Sequence, residues 1–281
     1  MKNLPTGAAL VAGVVGQPIR QSLSPFLHTA WLRHMGLNGV YAPFAPVDDH
    51  AFERLVLSCR TNGIKGLNVT APFKELALKL ADSYSDLAHT SGSANLLTFD
   101  DDGRVHADST DGHGLIQAFK LQAPDCDLTA GGVTIMGAGG ASRAVVAALL
   151  AKGCTDIHIV NRTLARAEEL VFAFKDGVTA YALTDVDRAF AGSVAVINAA
   201  SGGPLPLFDA LDKSATIMDM TYRPLKTNWL QAAESAGLTT VDGLMMLIEQ
   251  ARPSFEAFYG VVPDMAFDVR GLALAYLGEA G

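Results

Sequence analysis

A short segment of the chain places a lysine where it is suited to proton transfer. Residues 66–74, with the sequence GLNVTAPFK, include the end of the strand-like apolar run Ile64–Val69. Pro72 fits the first position of a helix, where its fixed φ is favourable and its missing N–H costs nothing. Lys74 is therefore predicted in the first helical turn, whose partial positive charge disfavours a protonated amine and so suits a lysine that must release and regain a proton. The alternative is a solvated lysine at a strand-to-helix corner.

Three further polar residues lie at predicted helix starts. Asp111, in the sequence STDG, begins a helix shortly before the point where we expect the chain to cross between domains. Ser22 and Ser24 precede or adjoin a proline, and two hydroxyls beside a helix N-terminus can bind a carboxylate without an arginine. Ordinary helix capping is the alternative interpretation for all three residues.

A glycine-rich turn, GAGGAS at residues 137–142, follows a predicted strand and opens a predicted helix. This is the context of a dinucleotide fingerprint, in which glycines allow the backbone to approach a pyrophosphate closely. Ser142 replaces the third glycine of the usual pattern, and a glycine-rich turn in another kind of α/β domain is the alternative. The residues predicted to bind a nucleotide in this turn are Gly137, Ala138, Gly139, Gly140 and Ala141.

The end of the next predicted strand indicates which nucleotide would bind. Asn161, Arg162 and Thr163 stand where an NAD-specific fold places a carboxylate for the ribose 2′-hydroxyl, and Arg166 follows one turn later. Guanidinium groups and a hydroxyl suit a 2′-phosphate instead. The sequence therefore predicts NADP(H) in preference to NAD(H), with a solvated helix face as the alternative role for the two arginines.

Composition limits the possible partners and location. The chain has 281 residues with 29 acidic and 21 basic side chains, and its net charge of −8 argues against a nucleic-acid partner. It contains no run of about eighteen apolar residues, so we expect no membrane span. The first apolar run is predicted to be a strand and not a signal peptide. Three scattered cysteines without metal-ligand spacing indicate free thiols in a reducing cytoplasm, and no metal is expected.

The order of predicted elements indicates an α/β protein of two domains. The N-terminal third combines β-α units with a hairpin around residues 100–103, which favours a mixed sheet. Residues 133–241 alternate strands and helices in the manner of a Rossmann-type, doubly wound parallel sheet. The polar stretch Gln122–Gly132 is the best candidate for the crossing between domains, and the chain beyond Leu244 is predominantly helical.

Together these motifs resemble those of the shikimate dehydrogenase family over nearly the whole chain. The resemblance rests on SLSP at 22–25, NVTAPFK at 68–74, STDG at 109–112, the nucleotide motifs, DMTYRPLKT at 219–227 and GLMMLIEQ at 243–250. It implies NADP-linked reduction of 3-dehydroshikimate to shikimate in aromatic amino-acid synthesis. It further implies a discontinuous substrate domain, 1–111 with 245–281, and a dinucleotide-binding domain, 112–244.

The resemblance also implies roles for individual residues. Lys74 and Asp111 would form the acid–base pair at the C3 oxygen of the substrate. Ser22, Ser24 and Tyr222 would hold its carboxylate, and Gly243 would contact the cofactor. The ring hydroxyls would be bound by Asn68, Thr70, Asn95 and Gln250.

The sequence departs from the family's pattern at some positions near the expected substrate, and these positions bear on which hydroxy acid is used. They are Leu96, Ser109, Ala200 within Ala199–Ser201, and Met245. None of these departures removes a proposed catalytic group. Both shikimate and quinate are candidate substrates. The motifs are also compatible with a catalytically weak NADP-binding sensor or with another two-domain NADP enzyme, such as a folate dehydrogenase. Monomer and homodimer are equally compatible with the sequence.

Overall fold

The chain forms two compact units in a computed structural model that describes residues 4–200, 202 and 205–278. The first unit runs up to Thr110 and resumes at Gln250, and the second is Asp111–Glu249. The prediction of a domain crossing at Gln122–Gly132 is wrong, because this stretch lies within the second unit. Its polar residues form the connection between a helix and the first strand of that unit. Ser201, one of the positions compared with the family's pattern, lies outside the described residues.

The first unit is built on a mixed six-stranded sheet. Its strands lie in the order β2-β1-β3-β5-β6-β4. β1 pairs in parallel with β2 and β3, whereas β5 is antiparallel to both β3 and β6, so the predicted hairpin is confirmed. The strands are β1 (Leu10–Val15), β2 (Gly39–Phe44), β3 (Ile64–Val69), β4 (Ser83–Tyr84), β5 (Leu96–Phe99) and β6 (Val105–Asp108).

Helices cover this sheet and bury its apolar side chains. Phe52 and Phe73 stack at 4.8 Å in a core formed with residues of β3, β5 and β6. The helices are α1 (Ser24–His34), α2 (Asp49–Cys59), α3 (Lys74–Leu80) and α4 (Asp86–Ser91).

The start of α3 differs from the prediction in one respect. Lys74 lies in the first helical turn, as predicted, but it is itself the first helical residue and Phe73 is the N-cap, so Pro72 is not the first residue of the helix. Pro72 instead lies in a turn closed by the N–H of Phe73, which donates to the carbonyl of Thr70 at 3.1 Å. Burial of the Phe73 ring in the core accounts for this later start.

The second unit is a doubly wound domain with a wholly parallel sheet. Its strand order, β9-β8-β7-β10-β11-β12, is the Rossmann order, so the predicted fold class is confirmed. The strands are β7 (Gly132–Met136), β8 (Ile157–Asn161), β9 (Val178–Ala182), β10 (Ser193–Asn198), β11 (Thr216–Asp219) and β12 (Thr239–Asp242).

Seven α-helices follow from Asp111 onward in the described part of the chain. Two of them, α8 and α9, were not predicted, because they are short. The helices are α5 (Asp111–Gln122), α6 (Gly140–Lys152), α7 (Leu164–Phe174), α8 (Val186–Phe190), α9 (Asn228–Ser235), α10 (Gly243–Tyr259) and α11 (Val269–Leu277). Among the described residues, no helix combines the length and apolar character that crossing a membrane requires.

A buried histidine makes the stability of the first unit depend on pH. His28 of α1 has no exposed surface, stacks on Tyr41 at 3.9 Å, and lies beside Trp31 and Phe255. Burial lowers the pKa of His28 from 6.5 to about 3. Below pH 6.5 the unfolded chain therefore binds a proton that the folded chain does not bind, and stability falls as the pH decreases.

We expect this histidine to cost about 2 kcal/mol of folding free energy between pH 7 and pH 5. Urea denaturation at the two pH values measures the loss, and His28→Phe, which keeps a ring against Tyr41 but cannot titrate, is the control. The expectation is wrong if the variant loses as much stability as the wild type over this range.

Candidate active site

The carboxyl ends of β1 and β3 lie side by side and position the first polar groups. Thr70 donates its backbone N–H to Val15 at 2.9 Å, directly after the paired ends of the two strands. Its methyl group packs against Gly16, where an added Cβ would lie 2.2 Å from it. Any side chain at position 16 would therefore displace Thr70.

The two serines lie at the start of α1 but cap it little. Leu23 is the N-cap residue, and no side-chain bond caps the helix. Ser24 is 7% exposed, and its N–H donates to the Ser22 hydroxyl over a long 3.4 Å. Capping alone therefore does not explain why both positions are hydroxyls.

Asn68, at the end of β3, is buried and held on three sides. Its carbonyl oxygen accepts a hydrogen bond from the Tyr41 hydroxyl at 2.7 Å. Its amide donates to the backbone oxygen of Asn95 at 3.2 Å and to the Ser254 hydroxyl at 2.8 Å. The side chain is thus fixed by residues of β2, α10 and the segment before β5.

The side chain of Asn95 forms hydrogen bonds with two other residues of the first unit, Thr110 and Gln250. Its carbonyl oxygen accepts the N–H of Thr110 at 2.7 Å, and its amide donates to the Gln250 side-chain oxygen at 2.8 Å. Because the oxygen of Gln250 is engaged, the amide hydrogens of Gln250 are oriented as donors. Asn95 and Gln250 are 155 residues apart in the sequence, and both were predicted to bind ring hydroxyls. The structure places their side chains in direct hydrogen-bond contact.

Lys74 and Asp111 are positioned by different units. The carbonyl of Lys74 accepts the N–H of Ala94 at 2.9 Å, which places the first turn of α3 beside the residue preceding Asn95. Asp111 is the first residue of α5 and is 6% exposed. It directly follows Thr110, the residue that Asn95 binds.

The glycine-rich turn connects β7 to α6 in the second unit. Gly137 has a φ of +106°, and an added Cβ would lie 3.0 Å from the backbone nitrogen of Ala200. By contrast, a Cβ at Gly139 or Gly140 would meet nothing within 4 Å. No side chain caps α6 at Gly139, so the helix presents uncapped N–H groups beside open space, which suits a pyrophosphate.

The end of β8 carries exposed cations and no carboxylate. Asn161 donates from its side chain to the carbonyl of Thr163 at 2.9 Å and so shapes the turn before α7. Arg162, Thr163 and Arg166 are exposed around this turn. Their charge and hydroxyl fit a 2′-phosphate.

Tyr222 lies in a loop that is anchored by a buried aspartate. Asp219, at the end of β11, accepts hydrogen bonds from the Asn198 amide at 3.0 Å, the Thr221 N–H at 3.0 Å and the Thr227 hydroxyl at 2.8 Å. The start of α10 packs closely on the same loop, since a Cβ at Gly243 would lie 2.3 Å from the Met220 carbonyl. Tyr222 and Gly243 are thus held near each other by backbone packing.

The two units together define a class of protein. The second has the strand order and glycine-rich turn of a dinucleotide-binding domain, and the first presents hydroxyls, amides and a lysine at the end of a mixed sheet. This combination is that of a two-domain, nicotinamide-nucleotide-dependent oxidoreductase. Within the described residues, no group of three His, Cys, Asp or Glu side chains is placed to hold a metal ion.

Comparison with known proteins identifies the family. The model for the shikimate dehydrogenase substrate binding domain matches residues 14–97, and that for shikimate / quinate 5-dehydrogenase matches residues 120–220. The chain is 50% identical to the shikimate dehydrogenase (NADP(+)) of Caulobacter vibrioides strain NA1000 / CB15N, over 99% of this chain and 100% of that protein. The chain therefore belongs to the shikimate dehydrogenase family, and the predicted resemblance is confirmed.

Two solved structures share the fold. Shikimate 5-dehydrogenase from Thermus thermophilus, in complex with NADP(H) and shikimate, is 31% identical with a TM-score of 0.82, over 97% of this chain and 100% of that one. Quinate dehydrogenase from Corynebacterium glutamicum, in complex with NAD, is 27% identical with a TM-score of 0.85, over 96% and 99%. Solved structures with this fold thus include a shikimate 5-dehydrogenase and a quinate dehydrogenase.

Several residues that organise this site were not predicted from the sequence. They are Gly16, Tyr41, Thr110 and Ser254, each of which contacts a predicted residue. Thr110 lies inside a recognised motif, but nothing in the sequence links Tyr41 or Ser254 to Asn68. Their contribution depends on contacts between distant segments.

Proposed function

We propose that the protein catalyses the reversible, NADP-linked reduction of 3-dehydroshikimate to shikimate. The observation that carries the proposal is the cluster of Asn68, Asn95 and Gln250, whose hydrogen bonds orient polar groups at one end of the first sheet. The relatives named for this reaction along the full chain support the same function. The first unit is the substrate domain and the second binds the nucleotide.

The cofactor is NADP(H), as in the relative from Caulobacter vibrioides. When bound, it supplies or accepts the hydride at the substrate's C3. Residues Gly137–Ala141 and Gly243 hold the dinucleotide, with the pyrophosphate at the uncapped start of α6. The 2′-phosphate is bound by Arg162, Thr163 and Arg166 in the turn shaped by Asn161.

The polar groups of the substrate are divided among several residues. The carboxylate is bound by Ser22, Ser24 and Tyr222, and the ring hydroxyls by Asn68, Thr70, Asn95 and Gln250. Lys74 and Asp111 act at the C3 oxygen, where reduction of the carbonyl creates an alkoxide that needs a proton. Lys74 exchanges that proton, and Asp111 orients the exchanging group.

Initial rates of NADPH formation with shikimate and with quinate test the proposal. We expect turnover of shikimate with NADP⁺ and a lower kcat/KM with NAD⁺. Quinate is the second candidate substrate, favoured by the shared fold with the quinate dehydrogenase from Corynebacterium glutamicum. Nucleotide binding without turnover of either acid would contradict the proposal and support a sensor.

Replacing Arg162 is expected to weaken NADP⁺ binding selectively. A hydrogen bond to a charged group contributes about 1.5–3 kcal/mol, so Arg162→Ala should raise KM for NADP⁺ by about 10-fold or more. KM for NAD⁺, which lacks the 2′-phosphate, should change little.

Arg188→Ala is the matched control for this measurement. Arg188 is also an exposed arginine of the second unit, on α8 and away from the turn after β8. The assignment of Arg162 to the 2′-phosphate is refuted if both variants show the same ratio of NADP⁺ to NAD⁺ efficiency as the wild type.

The proposal includes a cytoplasmic location and a monomeric or homodimeric state without nucleic acid. Cys59, Cys126 and Cys154 are free thiols, as expected in a reducing compartment. Burial raises the pKa of Cys59 to about 11 and keeps this sulfur protonated. Sedimentation of the purified enzyme distinguishes monomer from dimer.

A further inference from the structure

Tyr41, a core residue of β2, makes a polar contact with one residue of the proposed substrate site. Its hydroxyl donates to the Asn68 side-chain oxygen at 2.7 Å. Tyr41 is 5% exposed, and burial raises its pKa well above the usual value, with Tyr259 adding to the effect and Ser24 opposing it. The phenol therefore keeps its hydrogen and remains a donor at physiological pH.

The bond from Tyr41 to Asn68 has only one possible direction. The amide hydrogens of Asn68 face the backbone oxygen of Asn95, which can only accept, so the oxygen of Asn68 must face Tyr41. The second amide hydrogen goes to Ser254 of α10. Loss of the Tyr41 hydroxyl would leave a buried oxygen without this donor and remove one of the three hydrogen bonds that hold the Asn68 side chain.

The ring of Tyr41 is itself held firmly. His28 stacks on it at 3.9 Å with an interplanar angle of 11°, and Phe258 lies at 6.2 Å. An aromatic ring packed in this way has little freedom to move. Its hydroxyl is thus a fixed donor from β2 to Asn68 at the end of β3.

We infer that Tyr41 is a positioning residue for substrate binding, which sets the orientation of the Asn68 side chain. This inference rests on the proposed function, in which Asn68 binds a ring hydroxyl. Tyr41 touches neither substrate nor cofactor in this role. It acts by holding the oxygen of Asn68 in place from the neighbouring part of the sheet.

Tyr41→Phe removes the hydroxyl and leaves the stacked ring. Because one hydrogen bond contributes about 0.5–1.5 kcal/mol, we expect KM for shikimate to rise about 2- to 12-fold. The kcat and KM for NADP⁺ should stay within about 2-fold of the wild type, since the hydride and proton chemistry is untouched. A general loss of folding would not divide the kinetic constants in this way.

Tyr259→Phe is the control for the loss of a buried phenol. Tyr259 lies in the same aromatic cluster, but its hydroxyl donates to the backbone oxygen of Val40 at 3.0 Å. We expect a similar fall in melting temperature for both variants and an unchanged KM for shikimate in Tyr259→Phe. Equal KM values in the two variants would overturn the inference.

A double-mutant cycle tests the route through Asn68. If Tyr41 acts by holding Asn68, then Tyr41→Phe should raise KM less in an Asn68→Ala background than in the wild type. Additive effects would overturn the inference.

A measurement without turnover separates the inference from the proposed function. The side-chain amide resonance of Asn68 should shift in Tyr41→Phe and stay in place in Tyr259→Phe. If the wild type does not turn over shikimate, the proposed function fails and this resonance alone decides whether Tyr41 orients Asn68. An unshifted resonance would overturn the inference even in an active enzyme.

Discussion

Lys74→Ala is expected to lower kcat for shikimate oxidation by about 10²- to 10⁴-fold, the usual contribution of a positioned general acid or base. Lys74 is partly buried at the start of α3. The backbone carbonyl of Lys74 accepts the N–H of Ala94 at 2.9 Å. The substitution preserves this bond, so α3 should stay in place while the amine is lost. Steady-state kinetics with saturating NADP⁺ measures the effect.

Lys79→Ala controls for the loss of a lysine from the same helix. Lys79 is exposed in the last turn of α3, and we expect its variant to keep wild-type kcat. Both variants should bind NADP⁺ with wild-type affinity, because the nucleotide is assigned to the second unit. A kcat for Lys74→Ala within a few-fold of that of Lys79→Ala would refute the role of Lys74 in proton exchange.

The secondary structure follows from the sequence where elements are long and periodic. β3 has the bounds Ile64–Val69 that apolar patterning predicts, and strands and helices alternate over residues 133–241 as expected. The start of α3 differs because the prediction weighed the local preference of Pro72, whereas the packing of Phe73 against Phe52 decides where the helix begins. Tertiary packing of one large side chain outweighed the backbone preference of its neighbour.

The candidate site was predictable as residue types but not as a hydrogen-bond network. Asn68 could be selected from its motif, yet its partners Tyr41 and Ser254 are 27 and 186 residues away in sequence. Neither partner has a local signal, because a tyrosine in a strand and a serine in a helix are ordinary core or surface residues. Only the fold shows which groups orient Asn68.

The buried carboxylate of Asp219 is expected to contribute strongly to the stability of the second unit. It is 2% exposed and accepts hydrogen bonds from Asn198, Thr221 and Thr227. Asp219→Ala would leave the buried Asn198 amide and two part-buried donors without this acceptor, and an unsatisfied buried group costs about 1–3 kcal/mol. We expect a loss of about 2 kcal/mol or more in the free energy of unfolding, measured by urea denaturation.

The conservative variant Asp219→Asn should retain most of this stability. Its amide oxygen can still accept from Asn198 and Thr221, and the Thr227 hydroxyl can reverse to accept from the new amide. We expect a loss of about 1 kcal/mol. Asp212→Ala is the matched control, because Asp212 also accepts from a backbone N–H and a hydroxyl, those of Ser214, but is exposed so that water can replace it.

KM for shikimate and the free energy of unfolding, measured in the Asp219 and Asp212 variants, test whether Asp219 positions Tyr222 as well as stabilising the fold. Asp219 ties both ends of the loop that carries Tyr222, at Thr221 and at Thr227. If the carboxylate anchors this loop, Asp219→Ala should raise KM for shikimate as well as lower stability, whereas Asp212→Ala should change neither by much. An equal KM for shikimate in Asp219→Ala and Asp212→Ala would contradict the anchoring role. Equal urea midpoints for the two variants would show that the hydrogen bonds of Asp219 contribute no net stability.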